Sequence, residues 1–143
     1  CRHHTLTIMP NALSKLTDLA RNLQPKLQDG AYAFCSLPAA QAIPASVIAW
    51  FRETEGVTIV LPVADAHASG LQIEFEAAWI TLTVHSALSA VGLTAAVAVA
   101  LSDAGISCNV LAAIYHDHLF VPLSRAEDAM RVLQHLQTAS NTD

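Results

Sequence analysis

Residues 79–122 read WITLTVHSALSAVGLTAAVAVALSDAGISCNVLAAIYHDHLFVP, and the rest of the chain is interpreted around this stretch. It opens with the alternating β-branched residues of a strand that is half-buried on one face. An uncharged, alanine-rich segment from about Leu88 to Ala104 follows, contains strong helix formers and stops at Gly105. Two apolar, strand-like runs come next, over 106–112 and 114–121. The stretch therefore predicts the order strand, helix, strand, strand.

The upstream half predicts the same kind of elements less clearly. Leucines and alanines recur at helical spacing from Leu13 to Leu27. A strand is predicted over 31–37, a helix from Pro44 to about Thr54, and a short apolar strand over 57–61. Pro62 opens another short helix, as Pro122 does before the last helix of the chain.

This parallel indicates a weak internal repeat. VTIVLP at 57–62 and HLFVP at 118–122 each lead into a helix, and a strand and a helix lie upstream of each. Duplicated units of this kind favour an α+β fold with one antiparallel sheet and helices on one face. The predicted organisation is an N-terminal extension, two units and a tail, over residues 1–9, 10–76, 77–139 and 140–143.

Composition excludes several classes of function. The chain has 143 residues, of which 53% are hydrophobic and 13% charged, with a net charge of -5. Nucleic-acid binding is not expected, because no stripe of Lys and Arg is present to neutralise phosphates. Three widely spaced cysteines do not make a disulfide framework or a zinc knuckle. Few charges beside so many apolar residues favour buried subunit contacts, and hence a homo-oligomer.

An uncharged interval between Glu76 and Asp103 is long enough to span a bilayer. Several hydroxyl side chains interrupt it, however, and its period changes from strand to helix at Ser86. A buried strand and helix explain the interval better than a membrane span. The N-terminal residues lack the pattern of a secretory signal, so we expect a cytoplasmic protein.

Three places in the sequence resemble the ACT-domain family of small βαββαβ regulatory modules. They are VHSALSAVGLT at 84–94, DAGISCN at 103–109 and YHDHLFVP at 115–122. The resemblance covers about residues 11–137 and is strongest to a bacterial branch built as a tandem. It implies two ferredoxin-like units. The chain departs from the family's pattern in that no final strand of the second unit is predicted after Gln137, unless another segment supplies it.

The resemblance also implies a binding site. In ACT-like modules a small effector, usually an amino acid, binds between the turn from the first strand to the first helix and a neighbouring unit. Helix N-termini suit carboxylates, because their N–H groups are unpaired, and Gly92 lets a ligand approach closely. The effector-binding residues implied on the turn and the second strand are Ser86, Val91, Gly92, Leu93, Thr94 and Asn109. His116, Asp117 and His118 are interpreted as polar lining of the same pocket.

Two other functions are consistent with the residues. His116 and His118 point to one face of a strand and Asp117 to the other, so with His85 the two histidines could imitate a catalytic zinc site. A base and nucleophile at His85 and Ser86 is disfavoured, because neighbours on a strand point to opposite faces. A ligand-free dimerisation module is the third possibility. The prediction is a regulatory module with no catalytic residues, cofactor or metal, and with a small-molecule effector as partner.

Overall fold

The computed structural model of the chain describes residues 23–83 and 92–141, and side chains up to Thr138. Its strands are β1 (Lys26–Leu27), β2 (Tyr32–Leu37), β3 (Ala49–Arg52), β4 (Val57–Pro62), β5 (Phe75–Thr83), β6 (Asn109–Ala112) and β7 (His116–Pro122). Its helices are α1 (Val63–Ala68), α2 (Leu93–Asp103) and α3 (Ala126–Asn141), and a single 3₁₀ turn (Leu123–Arg125) precedes α3.

All the strands belong to one antiparallel sheet in the order β3-β4-β2-β5-β7-β6, with β1 paired to β5. The order is the same outward from the centre in both directions. In the first unit β2 is central, β4 lies beside it and β3 lies at the edge. In the second unit β5, β7 and β6 take the same three places. Two ferredoxin-like units thus share one sheet, and the predicted α+β class is confirmed.

The central strand β5 has neighbours on both sides over most of its length, since β7 pairs with it from Ala77 to Thr83. β7 pairs with one side, and β1 and β2 follow one another along the other side, from Lys26 opposite Thr81 to Phe34 opposite Phe75. Segments of the first unit therefore occupy the place that the fourth strand takes in a ferredoxin-like unit. β5 runs without a break through residues 76 and 77, between which the sequence predicts the boundary of the two units.

The three described helices pack on one face of the sheet, as the sequence predicts. Ile80, Leu82 and Leu119 point to that face and form a core with residues of α2 and α3, such as Leu101 and Leu133. A second core joins Ala33, Cys35 and Ile59 to Ala66 of α1. None of the described helices packs on the other face, which we call the open face. It carries the aromatic residues Tyr32, Phe34, Phe75, Trp79 and Phe120.

The prediction of a helix from Pro44 to about Thr54 is wrong. Residues 49–52 form the edge strand β3, which pairs with β4 from Ala49 opposite Val60 to Arg52 opposite Val57. Val47, Ile48 and Phe51 fit helical spacing, but β-branched and aromatic residues also suit a strand. The exposed edge of β4 offered backbone partners, and that non-local pairing decided the outcome.

Candidate functional site

The first turn of α2 begins at Gly92. This residue has φ 116° and ψ -43°, and its carbonyl accepts a hydrogen bond from the N–H of Ala96 at 2.8 Å. Leu93 is 4% exposed and packs in the core, whereas Thr94 is exposed. Leu93 can therefore offer a ligand its backbone N–H but not its side chain. Ser86 and Val91, which are predicted at the same site, lie outside the described residues.

Arg125 fixes the opposite end of α2. Its guanidinium donates hydrogen bonds to the carbonyls of Ala104 at 3.2 Å and Gly105 at 3.3 Å. Arg125 follows β7 directly, so the C-terminal end of α2 lies at the end of that strand. A helix of 11 residues is about 16 Å long, and α2 accordingly reaches back toward the start of β7.

Asp117 lies at that start and on the same face of the sheet as α2. It is opposite Leu82 of β5 and Ala112 of β6, and its side chain is 9% exposed. Burial raises the pKa of this carboxyl above its usual range, and the nearby His118 opposes the shift. No Lys or Arg within the described ranges forms an ion pair with it. A buried carboxylate of this kind gains from a cationic ligand.

Asn109, His116 and His118 lie on the open face instead. The register places Asn109 opposite Phe120, His118 opposite Thr81, and His116 opposite Thr83. The structure thus brings Gly92, Thr94 and Asp117 to one side of the sheet. It puts the other three predicted residues on the opposite side.

His118 belongs to a polar cluster at the centre of the open face. The indole N–H of Trp79 donates to its Nδ1 at 3.0 Å. The hydroxyl of Thr81 lies 3.5 Å from the same nitrogen and accepts a hydrogen bond from Gln28 at 3.0 Å. An indole N–H can only donate, so Nδ1 of His118 is unprotonated and the ring is neutral. This Trp–His pair could not be predicted from the sequence, because the two residues meet only through the pairing of β5 with β7.

The metal-site alternative finds no support in the described part of the chain. It contains no group of three or more His, Cys, Asp or Glu side chains that could hold a metal ion. The rings of His116 and His118 are 6.2 Å apart, but Nδ1 of His118 is already used by Trp79. His85, the third predicted ligand and the predicted base beside Ser86, lies outside the described residues.

The Trp79–His118 pair predicts a pH dependence of stability. Burial lowers the pKa of His118, the neighbouring His116 lowers it further, and Asp117 opposes both. The folded protein then holds this proton less tightly than the unfolded chain, whose histidines have a pKa of about 6.5. The stabilisation from neutral His118 is complete above that value and is lost as the pH falls through the folded-state pKa.

We therefore expect the free energy of unfolding to fall below about pH 6.5, and part of that fall to be absent in His118→Asn. The asparagine carbonyl can accept the indole N–H without titrating. Urea unfolding of both proteins between pH 8 and pH 5 measures the difference. If the free energy of unfolding falls equally with pH in the two proteins, His118 is not held neutral by the fold.

Comparisons with known proteins were made with the whole chain. Two family models, both described as ACT domain, match it in tandem over residues 11–78 and 74–135. No protein of curated function matches it. Within the described residues no helix is long and apolar enough to cross a membrane.

Solved structures resemble the chain along most of its length. A protein of unknown function from Vibrio cholerae, described as a possible transport protein, is 41% identical, with a TM-score of 0.80. The match covers 88% of this chain and 98% of that one. The regulatory subunit of aspartate kinase from Thermus thermophilus, in its ligand-free form, is 10% identical, with a TM-score of 0.60. That match covers 80% of this chain and 97% of the subunit, and at such low identity it shows the fold alone.

Proposed function

We propose that this chain, which belongs to the ACT-domain family, is a regulatory module whose small-molecule effector is an amino acid. ACT domains are regulatory rather than catalytic, and we propose no catalytic residue here. One observation carries the amino-acid proposal. Arg125 holds the C-terminal end of α2 at the end of β7, and we infer from the 11-residue length of the helix that its first turn lies toward the start of β7, where Asp117 is buried on the same face of the sheet.

The two groups have opposite charge preferences. Unpaired N–H groups and the positive end of the helix dipole favour a carboxylate at the start of α2. The Asp117 carboxylate favours an ammonium group, and it is poorly solvated until a cation reaches it. An amino acid carries both groups one carbon apart. A simple anion or a simple amine would satisfy only one half of the site.

We keep three further residues as proposed ligand-binding residues, although they lie on the other face of the sheet from α2. They are Asn109, His116 and His118. They lie on the open face, so they can meet the same ligand only where a neighbouring subunit presents its open face to α2. For these three residues the proposal therefore requires a site shared between chains, in a homo-oligomer. Binding at such a site would favour one packing of the units over another, by its differential affinity for the two arrangements.

The substitution Asp117→Asn tests the charge complementarity. It keeps the shape of the side chain and removes its charge, so we expect the effector amino acid to bind about 10- to 100-fold more weakly. The folded protein should become more stable at neutral pH, because the raised pKa of Asp117 means that its charged form opposes folding. Titration calorimetry and urea unfolding measure the two effects.

Asp103→Asn is the matched control, since Asp103 is an exposed residue at the far end of α2. It should bind the amino acid as tightly as the original protein. Unchanged binding in Asp117→Asn would show that Asp117 does not bind the ammonium group of the ligand. Equal losses in both variants would indicate a general effect of net charge.

A further inference from the structure

A small cavity opens on the open face between strands of the two units. Its volume is about 160 Å³. One wall is formed by β3 and β4, through residues such as Ala49, Phe51 and Val60, and the opposite wall by β6, through Asn109 and Leu111. Phe34 and Phe120 also line it, and their rings contact each other edge to face with centroids 5.3 Å apart. The curvature of the shared sheet brings its two edge strands to the same hollow.

The chemistry of the lining is almost entirely apolar. No charged side chain lines the cavity within the described part of the protein, and the polar side chains are those of Thr58 and Asn109. The Thr58 hydroxyl is already hydrogen-bonded to Glu53. Asn109 therefore supplies the amide that can orient a ligand. A charged ligand would lose its hydration here without gaining a counter-ion, so the cavity selects against one.

The volume indicates the size of the part of a ligand that this cavity can hold. An enclosed apolar protein cavity of about 150 Å³ binds benzene, and the present cavity has a similar volume but is open to solvent beside Phe51 and Leu111. Edge-to-face contact between aromatic rings adds to the burial of apolar surface, and Phe34 and Phe120 offer such contacts. A single aromatic ring matches this volume.

We propose that this cavity binds a neutral molecule with one aromatic ring, oriented by a hydrogen bond to Asn109. The cavity lies on the opposite face of the sheet from α2 and Asp117, and Asn109 is the one residue of its lining that also belongs to the proposed amino-acid site. It requires both units, since one contributes Ala49 and Val60 and the other Asn109 and Leu111. A ligand bound in this cavity would therefore contact both units and stabilise their packing against each other.

The probe for this site is p-cresol, with toluene as the analogue that lacks the hydroxyl. Calorimetry should show saturable binding of p-cresol to the original protein. Ala49→Leu fills the cavity from β3 and should weaken binding at least about tenfold. Leu111→Trp narrows the cavity from the opposite wall and should do the same if Ala49→Leu folds poorly. Ala112→Leu, an equal change at an exposed position of β6 outside the lining, should bind normally.

The hydrogen bond is tested by Asn109→Ala, which should weaken p-cresol binding while leaving toluene binding nearly unchanged. No saturable binding of either compound, or equal binding by the original protein and both filled variants, would overturn the proposal. Sedimentation velocity tests whether a second copy of the chain occupies the cavity instead. A dimer that blocks p-cresol and dissociates in Phe51→Ser would show that a second copy of the chain fills this cavity, and would overturn the proposal too. Ala49 and Leu111 do not belong to the proposed amino-acid site, so their variants separate a failure of this proposal from a failure of that one.

Discussion

Replacing Leu101 by alanine is expected to lower the free energy of unfolding by about 2–5 kcal/mol. Leu101 is fully buried, and it packs between the sheet and α3 in the core that also contains Ile80 and Leu133. Truncation removes the transfer free energy of the lost methyl groups and leaves a cavity that the surrounding side chains fill only in part. The backbone N–H of Ile106 also bonds to the Leu101 carbonyl at 2.9 Å, which limits local collapse.

Val99→Ala is the matched control on the same helix. Val99 is 58% exposed, so its truncation should change stability by no more than about 0.5 kcal/mol. Urea unfolding, monitored by circular dichroism, gives both values. Equal losses would contradict the one-sided burial of α2 and would mean that Val99 is covered in solution.

Gly56→Ala is expected to cost about 2–4 kcal/mol. Gly56 lies in the turn between β3 and β4, where its carbonyl accepts a hydrogen bond from the N–H of Glu53 at 2.8 Å. A Cβ atom at this position would lie 2.5 Å from the backbone oxygen of Leu37, and φ is +157°. Backbone atoms on a paired strand cannot move aside cheaply, so the hairpin must shift away from β2.

The control is Gly70→Ala, because Gly70 also has a positive φ, of +65°, but open space around its Cβ position. Only the conformational cost remains there, about 1–2 kcal/mol. Thermal unfolding of the two variants compares them directly. A smaller loss for Gly56→Ala than for Gly70→Ala would contradict the close approach of this turn to β2.

The second unit could be predicted because its signals are local. Alternation in β5, the alanine-rich run of α2 and the stop at Gly105 each lie within one element, and together they fix the order of elements. The region from Pro44 to Thr54 failed for the opposite reason. Its apolar residues fit a helix and an edge strand equally well, and the strand is chosen by pairing with β4, which a local pattern does not contain.

The candidate site was predictable only in part. Alternation along β7 correctly places Asp117 on the face opposite His116 and His118. It does not tell which face α2 covers, and that choice separates Asn109 and the two histidines from Gly92. The pair formed by Trp79 and His118 depends on the register of β5 with β7, which needs the folded sheet.

The cavity on the open face left no signal in the sequence at all. Its two walls come from residues such as Ala49 and Asn109, which lie far apart in the chain. The place of β1 and β2 beside β5 is equally non-local. The sequence does not tell which segments pair with that side of β5, and the structure shows that they are β1 and β2.

The most direct test of the proposed function is a thermal-shift titration of the purified protein against each of the twenty amino acids, with zinc and a chelator as controls. A ligand that binds only the folded state at a hundredfold excess over its Kd adds about 2.7 kcal/mol of stability. We predict that one amino acid, or one chemically related group, raises the melting temperature in a saturable way, and that the chelator has no effect. A melting temperature unchanged by every amino acid, or raised by zinc alone, would contradict the proposal.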